Sequence, residues 1–476
     1  MIRSRWFAPT IIFLVCWTLT THGKYSASGD EPHYLMVCHS LWADRDLDLS
    51  NNYQDNDGRW FGATGLLMEQ HGRSNRSGRV FPVHDIGVPV LLLPVYVAAT
   101  TASGLASESI LGRFRMTRGL FAYSLISICI IGMVTAAAAI TRRTLIAQGT
   151  SAAAASAIVI ALWLAPPVLS NSFLVFPEAF ALLATALAVR AALTEADVPV
   201  RGRVLWLAAL LGLLPWLHRK YVFYAAALLL VVLWQHRHRV VSLDHRDRLR
   251  AVALLATPVL GLAIWTWHYW GNLGGALVLD GAPFSLQAFR PGALGLLVDR
   301  ENGLLVWAPV YLLLPAAWAV AGRRYAIWLL PTAYLFGISA GHDQWWGGFS
   351  PAARFLMPLV PIFAVVGAVA LRHQLFRVAS LILLIPQIFI SADGWQHTRS
   401  LWPQGDGHNR VLSDLLTGLG AGERWIPSLR TSAMAIRQAM IGILGVGLIN
   451  AVVWAAARNR PGSRWLATKT RKHEAT

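Results

Sequence analysis

The stretch 117–141 reads TRGLFAYSLISICIIGMVTAAAAIT, and its single charged residue is Arg118. Two further arginines, Arg142 and Arg143, follow it directly. A run of about 20 apolar residues can span the hydrocarbon core of a bilayer as a helix. Inside that core every backbone donor and acceptor needs a partner, and a helix supplies these partners within one segment. The stretch therefore predicts a membrane-spanning helix that ends on a basic pair.

Similar apolar stretches recur along most of the chain. Of its 476 residues, 55% are hydrophobic and 14% are charged, whereas soluble domains carry about 25% charged residues. Clean strand alternation is absent, and no polar region is large enough to form a separate soluble domain. We therefore expect an all-α polytopic membrane protein with about 12 transmembrane helices. The expected crossings are 6–21, 117–141, 151–170, 178–194, 204–217, 221–234, 251–270, 302–321, 325–340, 355–371, 378–392 and 436–457.

The charge balance fits the same interpretation. The formal net charge is +17, and the basic residues flank the apolar stretches, as the positive-inside rule describes. We therefore expect the lipid bilayer, and no nucleic acid, as a partner. The three cysteines lie far apart without metal-ligand spacing, which indicates no disulfide framework. Arg3 and Arg5 precede the first apolar run, so this run is expected to be a retained helix that begins in the cytoplasm.

Basic loops set the expected orientation of the crossings. The strongest is 236–250, which should be cytoplasmic. Counting crossings from it and from the N-terminus places five loops on the outer face, including a large first one. These outer loops are 23–85, 171–178, 271–301, 341–354 and 393–435.

The apolar segment 86–102 needs separate treatment. Two outer loops must be separated by an even number of crossings, yet three apolar segments lie between the first outer loop and the loop 171–178. Pro89 and Pro94 interrupt 86–102, so we expect it to be an interfacial or re-entrant helix on the outer face. If it crossed the membrane instead, Glu178 would lie in the cytoplasm.

The first outer loop opens with an acidic pair, Asp30-Glu31, shortly after the first helix. One interpretation is a helix start, in which Asp30 caps and Glu31-Pro32 fill the first turn. A second interpretation is catalytic, because a carboxylate in a partly desolvated cleft has a raised pKa and can act as a general base. The spacing alone leaves both interpretations open.

Several further motifs follow this opening in order. With the opening itself they are Asp30-Glu31-Pro32-His33-Tyr34-Leu35, Asp46-Leu47-Asp48-Leu49, Asn51-Asn52-Tyr53, Pro82-Val83-His84-Asp85-Ile86-Gly87, Phe176-Pro177-Glu178, Leu214-Pro215-Trp216-Leu217-His218, Asp299-Arg300-Glu301-Asn302-Gly303-Leu304-Leu305, and Trp345-Trp346-Gly347-Gly348 with Arg354. Together they resemble the GT-C-fold glycosyltransferases, in a bacterial branch of the superfamily of protein O-mannosyltransferases and lipid A aminoarabinose transferases. These multi-span enzymes take a sugar from a polyprenyl-phosphate carrier.

The resemblance covers residues 1–365 and implies a domain organisation. Residues 1–365 would form a GT-C-like catalytic transmembrane module that includes the outer loop 23–85. Residues 366–457 would add further transmembrane helices with the outer loop 393–435. Residues 458–476 would form a basic cytoplasmic tail.

The resemblance also implies roles for individual residues. Asp30 would be the catalytic base that deprotonates the acceptor, with Glu31 beside it in donor or acceptor binding and Glu178 on the same face. A departing lipid phosphate needs cations, although lysine and arginine near a helix end also snorkel to headgroups. The best candidates for this cationic role are His218, Arg219, Lys220 and Arg354. Further candidates for contact with the sugar or the phosphate are His33, Tyr34, His84, Asp85, Asp343 and Trp346.

The sequence leaves metal binding open. The outer-face pairs His84-Asp85 and His342-Asp343 could each bind a divalent cation or form a local hydrogen bond. Asp30 and Glu178 are the other candidate metal ligands. The motifs establish no cofactor, and a divalent metal is the one candidate.

These expectations combine into a function and a rival. The chain is expected to be an inverting membrane glycosyltransferase that moves a sugar from a polyprenyl-phosphate donor to a hydroxyl of a lipid, glycan or protein acceptor. Its site would lie on the periplasmic face of a bacterial inner membrane. The rival is a non-enzymatic lipid-carrier transporter or flippase, which predicts charged residues inside helices along a path through the bilayer.

Overall fold

The computed structural model describes residues 4–21, 27–75, 77–194, 200–240, 244–275, 284–418, 422–431 and 435–458. Across these ranges the chain is helical, apart from one antiparallel pair of short strands, β1 (Gly72–Ser74) and β2 (Val80–Pro82). The structure therefore confirms the prediction of a helical protein.

In chain order the α-helices are α1 (Phe7–Thr21), α2 (Glu31–His39), α3 (Ser50–Gln54), α4 (Met68–His71), α5 (Gly87–Leu105), α6 (Glu108–Phe114), α7 (Arg118–Ala147), α8 (Ala152–Trp163), α9 (Val168–Asn171), α10 (Pro177–Leu193), α11 (Val200–Leu217), α12 (Val222–Gln235), α13 (Arg237–Val240), α14 (His245–Trp270), α15 (Leu286–Val298), α16 (Leu304–Trp307), α17 (Leu314–Ala321), α18 (Arg323–Ala326), α19 (Leu329–Ala340), α20 (Val360–Ala370), α21 (Gln374–Gln396), α22 (Arg410–Gly418) and α23 (Ala435–Arg458). Short 3-10 or π segments occupy Ser40–Asp44, Asp57–Phe61, Arg219–Tyr221, Pro309–Leu313, Arg354–Leu359, Thr398–Leu401 and Glu423–Trp425.

Helix α7 forms the centre of the bundle, and α1, α5, α8, α10 and α20 pack against it. Thr117 caps its start by accepting a hydrogen bond from the backbone N–H of Leu120 at 3.2 Å. Helix α10, which packs against α7, contains buried alanines such as Ala181 and Ala188, and small residues let helices approach closely within a membrane.

Five helices in the described part of the chain are long and apolar enough to cross a membrane, namely α5, α7, α14, α21 and α23. Other predicted crossings are shorter or broken. For example, 302–321 divides into α16, the segment Pro309–Leu313 and α17, because Pro309 and Pro315 interrupt the backbone hydrogen bonding. The structure thus shows a membrane-type helical body, and the count of about 12 crossings stays a prediction.

Helix α5 differs from the expectation that prolines interrupt it, since it runs unbroken with Pro94 inside. Its contacts place both ends near the first outer loop. Gly87 lies so close to α11 that an added Cβ would sit 2.3 Å from the carbonyl oxygen of Trp216. At the other end, the hydroxyl of Ser103 donates to the carbonyl of Arg118, the first residue of α7. The next residue of α7, Gly119, packs against the backbone of Trp60 in the first outer loop, so both ends of α5 lie near that loop.

The C-terminal helices are joined closely to the rest of the protein. The side chain of Asn450 in α23 accepts from the N–H of Ala316 at 2.8 Å and donates to the carbonyl of Leu312 at 2.7 Å. The buried carboxylate of Asp299 accepts from the N–H of Leu429 at 2.7 Å, and that of Glu301 accepts from two glycine N–H groups, at residues 405 and 407. The boundary expected at residue 365 is therefore bridged by many contacts. The tail 459–476 lies outside the described residues.

Candidate active site

Asp30 is held in place by the glycine that precedes it. Gly29 has a positive φ of +57°, and a Cβ there would lie 2.6 Å from the carbonyl oxygen of Phe349. Asp30 stands at the start of α2, yet its side chain makes no capping hydrogen bond, contrary to the simpler interpretation of the sequence. Its carboxylate is 18% exposed and instead accepts from Arg354.

An alternating chain of four charges extends from Asp30 into the protein. Arg354 Nη1 donates to Asp30 Oδ2 at 3.0 Å, and Arg354 Nε lies 3.8 Å from Glu178 Oε1. Lys220 Nζ donates to the same Glu178 oxygen at 2.6 Å. Residues 30, 178, 220 and 354 are far apart in sequence, so the fold brings together four residues predicted for the site. The predicted placement of Asp30 and Glu178 together agrees with this geometry.

Aromatic rings enclose the two cations of this network. The guanidinium of Arg354 lies 4.2 Å from the ring centre of Phe176, and Lys220 Nζ lies 4.2 Å from that of Phe355. Glu178 is 1% exposed. Charges removed from water interact more strongly with each other and with any anion that enters.

The charge on Asp30 is set by opposing effects. Burial raises its pKa, but the nearby Arg354, His84 and His71 lower it by more, so the pKa of the carboxyl stays below its ordinary value. The carboxylate is therefore ionised at neutral pH. The elevated pKa that the sequence interpretation expected for a base in a cleft is wrong for this state, because the cleft also supplies a guanidinium.

The predicted His84-Asp85 pair is divided between two partners. His84 Nε2 lies 3.8 Å from Asp30 Oδ1, whereas Asp85 accepts from the backbone N–H and from Nε of Arg219 at 3.0 and 2.9 Å. Burial raises the pKa of Asp85, and Arg219 opposes that shift. Arg219 is thus held beside the site by a buried carboxylate.

His218 does not supply the positive charge that was expected of it. Its Nδ1 accepts a hydrogen bond from the backbone N–H of Lys220 at 3.2 Å, which caps the start of the short helical segment that follows α11. Burial, with the charge on Lys220, lowers its pKa well below the ordinary value. The cations in this part of the sequence are Arg219 and Lys220.

The Glu31 carboxylate forms hydrogen bonds that hold neighbouring segments together. It is fully buried and accepts from the hydroxyl of Tyr123 at 2.7 Å, from the N–H of Val175 at 2.8 Å and from the N–H of Ser28 at 3.0 Å. These bonds join α2 to α7 and to the turn before α10. Glu31 therefore fits a positioning role for Asp30 better than the expected contact with donor or acceptor.

A histidine cluster adjoins Asp30 on the side opposite Arg354. His71 Nδ1 lies 2.9 Å from His84 Nε2, and its ring stacks on His33 with centroids 3.8 Å apart. His33 Nδ1 is 2.8 Å from the hydroxyl of Tyr53, and the ring of Tyr34 packs beside His84. Burial and the neighbouring His84 lower the pKa of His71 to about 4. The sequence analysis did not identify His71.

Two further predicted site residues, Asp343 and Trp346, form no ion pair or hydrogen bond with this network among the described residues. Asp343 is exposed. Trp346 is half-buried, and Arg430 lies over its ring at 4.7 Å. A sugar could not stack on that face of Trp346 without displacing Arg430. The expected contact of Asp343 and Trp346 with the donor stays a prediction.

Three buried polar atoms around the network have no hydrogen-bond partner among the described residues. They are Arg354 Nε, Glu178 Oε2 and Arg219 Nη1. A buried group left without a partner costs about 1–3 kcal/mol, so such a cluster points to a place where a polar ligand completes the bonding. Glu178 already faces two cations, and this leaves little reason for a metal ion beside it.

Gly29→Ala is expected to lower the free energy of unfolding by about 1–3 kcal/mol and to shift Asp30 away from Arg354. The new methyl group would combine an unfavourable positive φ with a clash against the backbone of Phe349. Gly78→Ala is the matched control, because Gly78 has a φ of +80° with no atom within 4 Å of the added Cβ. Thermal unfolding in detergent measures both, and equal losses would contradict the importance of the Phe349 contact.

Comparisons of the chain with protein-family models, with curated proteins and with solved structures found no match.

Proposed function

We propose that this protein is an inverting membrane glycosyltransferase that moves a sugar from a polyprenyl-phosphate donor to an acceptor hydroxyl. The observation that carries the proposal is the charge network Asp30–Arg354–Glu178–Lys220 at one end of an apolar helical body. A partly exposed carboxylate beside buried cations suits a reaction in which a proton leaves a hydroxyl while negative charge develops on a phosphate.

In this proposal Asp30 accepts the proton of the acceptor hydroxyl. The hydroxyl oxygen bonds to the anomeric carbon of the sugar from the face opposite the phosphate, and the bond from that carbon to the phosphate oxygen breaks. A single displacement of this kind inverts the anomeric configuration. Because Gly29 and Arg354 fix the position of Asp30, the base is already placed before the acceptor arrives.

The donor phosphate would bind to the cations of the network. Arg354 and Lys220 are both about 9% exposed and lie on either side of Glu178. Arg354 Nε and Arg219 Nη1 have no hydrogen-bond partner among the described residues, so each can donate to a phosphate oxygen. A phosphate that draws Arg354 towards itself would also free the Asp30 oxygen that Arg354 now occupies.

We place the entry of the lipid carrier beside Arg219. A narrow crevice beside His84, Asp85 and Arg219 is lined by aromatic side chains of α14, including Trp265 and Trp270. Its volume is only about 10 Å³, so a polyprenyl phosphate would enter by displacing these side chains.

We further propose that the site faces the outer, periplasmic side of a bacterial inner membrane. Both ends of α5 lie near the first outer loop, which supports an even number of crossings between Asp30 and Glu178. The basic stretch 236–250 is reached from Lys220 through α12. By the positive-inside rule this stretch is cytoplasmic, which puts Lys220 at the opposite face.

The transporter alternative has less support. A path for a charged lipid head would place ionisable residues along the length of a central helix. Helix α10 begins beside Glu178 in the network, and its next ionisable residue is Arg190 near its far end. Between them the helix is apolar apart from Thr185.

The test uses the purified protein in lipid nanodiscs with radiolabelled polyprenyl-phosphate sugars, supplied one at a time, and envelope lipids or glycans as acceptors. We expect label in the acceptor, release of polyprenyl phosphate, and a product anomer opposite to that of the donor. If the same protein in proteoliposomes moves intact donor across the bilayer and never breaks the sugar–phosphate bond, the transferase assignment is wrong and the transporter is right.

A further inference from the structure

The only sheet in the described part of the chain, formed by β1 and β2, has a histidine next to each strand at the same end of the hairpin. His71 directly precedes β1, and His84 follows β2 by two residues. Strand residues pair from Gly72 with Pro82 onwards, and the N–H of Val83 donates to the carbonyl of His71 at 2.9 Å. The hairpin therefore fixes the two imidazoles side by side above Asp30.

The three side chains present their ligand atoms to a common point. His71 Nδ1 and His84 Nε2 are 2.9 Å apart, and His84 Nε2 and Asp30 Oδ1 are 3.8 Å apart. One ligand atom from each residue lies within 4.8 Å of the others. In a tetrahedral zinc site with bonds of about 2.0–2.1 Å, two ligand atoms are roughly 3.3 Å apart. The His71–His84 distance of 2.9 Å is below this value, and the His84–Asp30 distance of 3.8 Å is above it.

We propose that Asp30, His71 and His84 bind a divalent transition-metal ion, with Zn²⁺ as the best fit. Two imidazoles and one carboxylate are a ligand set of catalytic zinc sites, which keep a further position open. Ca²⁺ and Mg²⁺ prefer oxygen ligands, so a site with two nitrogen ligands discriminates against both. The metal role that the sequence left open for Asp30 thus gains two named partners.

Neighbouring residues hold the ligands in orientation. His71 stacks on His33, whose Nδ1 lies 2.8 Å from the Tyr53 hydroxyl. Arg354 holds Oδ2 of Asp30 and leaves Oδ1 directed to the histidines. A hydrogen bond to the second oxygen of a ligating carboxylate, such as the one from Arg354, is common in known sites.

A bound ion would assist the proposed transfer reaction, and this part of the inference rests on the proposed function. The acceptor hydroxyl oxygen would occupy the open metal position, where the positive charge makes its proton easier to remove. That proton passes to Asp30 Oδ2, which retains a lone pair beyond the one facing Arg354. The oxygen then forms the bond to the anomeric carbon as the phosphate departs.

Metal content tests the site without any sugar donor. Protein stripped with a chelator is equilibrated with Zn²⁺ or Co²⁺, passed through a desalting column, and analysed by mass spectrometry of the metals. We expect about one ion per chain in the wild type, and the loss of most of it in His71→Gln and His84→Gln. His397→Gln is the matched control, because His397 is exposed on the outer loop and contacts Asp393.

Two further readouts separate metal binding from folding and from activity. Co²⁺ bound by the two imidazoles should give a visible absorption band that is absent in both site variants. Zn²⁺ should raise the unfolding temperature of the wild type and leave that of the variants unchanged. A wild type that binds no more ion than the background, or site variants that bind as much as His397→Gln, would overturn the metal site. Neither result alters the test for sugar transfer.

Discussion

Replacing Asp30 with asparagine is expected to lower the rate of sugar transfer by about 10²–10⁴-fold, the usual contribution of a general base. Asparagine has the shape of aspartate and its oxygen can still accept from Arg354. Its amide nitrogen offers no lone pair to a proton. Of the two acids in the network, Asp30 and Glu178, only Asp30 is in partial contact with solvent, at 18% exposure. An acceptor can reach it there.

The effect of Asp30→Asn on kcat and KM separately is as informative as the size of the rate loss. A lost base should lower kcat and leave the KM for the donor nearly unchanged, since the phosphate contacts remain. Asp393→Asn is the matched control, because Asp393 lies near the end of α21, where it pairs with the exposed His397. Transfer by Asp30→Asn at the wild-type rate would remove Asp30 as the base.

The helical body was predictable because the apolar stretches are long. The segment 117–141 forms one continuous helix after its first residue, Thr117, which caps the helix Arg118–Ala147. Where prolines occur, the sequence was a poorer guide. Pro94 left α5 intact, whereas Pro309 and Pro315 fall where the predicted crossing 302–321 divides. A proline removes one backbone donor in each case, and whether the helix continues depends on packing that a single sequence does not reveal.

The charged part of the site was largely predictable, and its connections were not. Asp30, Glu178 and Arg354 were identified through the family resemblance, and Lys220 was identified as a charge that interrupts apolar sequence. The pairing of Arg354 with both carboxylates depends on the tertiary fold. The closeness of Gly29 to Phe349 is likewise a contact between distant segments.

The histidine cluster shows what sequence reasoning missed. His84 was considered together with its neighbour Asp85, but the fold gives the two side chains different partners. His84 lies next to Asp30, and Asp85 pairs with Arg219. His71 became relevant only through the hairpin of β1 and β2, whose strands of three residues each are too short to recognise from alternation.

Replacing Arg354 with alanine is expected to destabilise the protein by about 3–5 kcal/mol, the usual cost of removing one partner from a buried ion pair. The substitution leaves Asp30 without its guanidinium and leaves Glu178, at 1% exposure, with Lys220 alone. Thermal unfolding in detergent should show a lower midpoint. Arg410→Ala is the control, because Arg410 and its partner Asp406 are exposed and such pairs contribute about 0–1 kcal/mol.

Arg354→Lys separates the structural role of this residue from its role towards the donor. Lysine restores a positive charge but has one nitrogen in place of the planar fork, so it can pair with Asp30 or with Glu178 and not bridge them. We expect Arg354→Lys to regain most of the stability lost in Arg354→Ala. Its KM for the donor should still be higher than that of the wild type, because Nε, which has no hydrogen-bond partner among the described residues of the wild type, is lost. If Arg354→Lys bound the donor as the wild type does, the phosphate would have to be held by Lys220 and Arg219 alone. Arg354 would then hold Asp30 in position without contacting the donor phosphate.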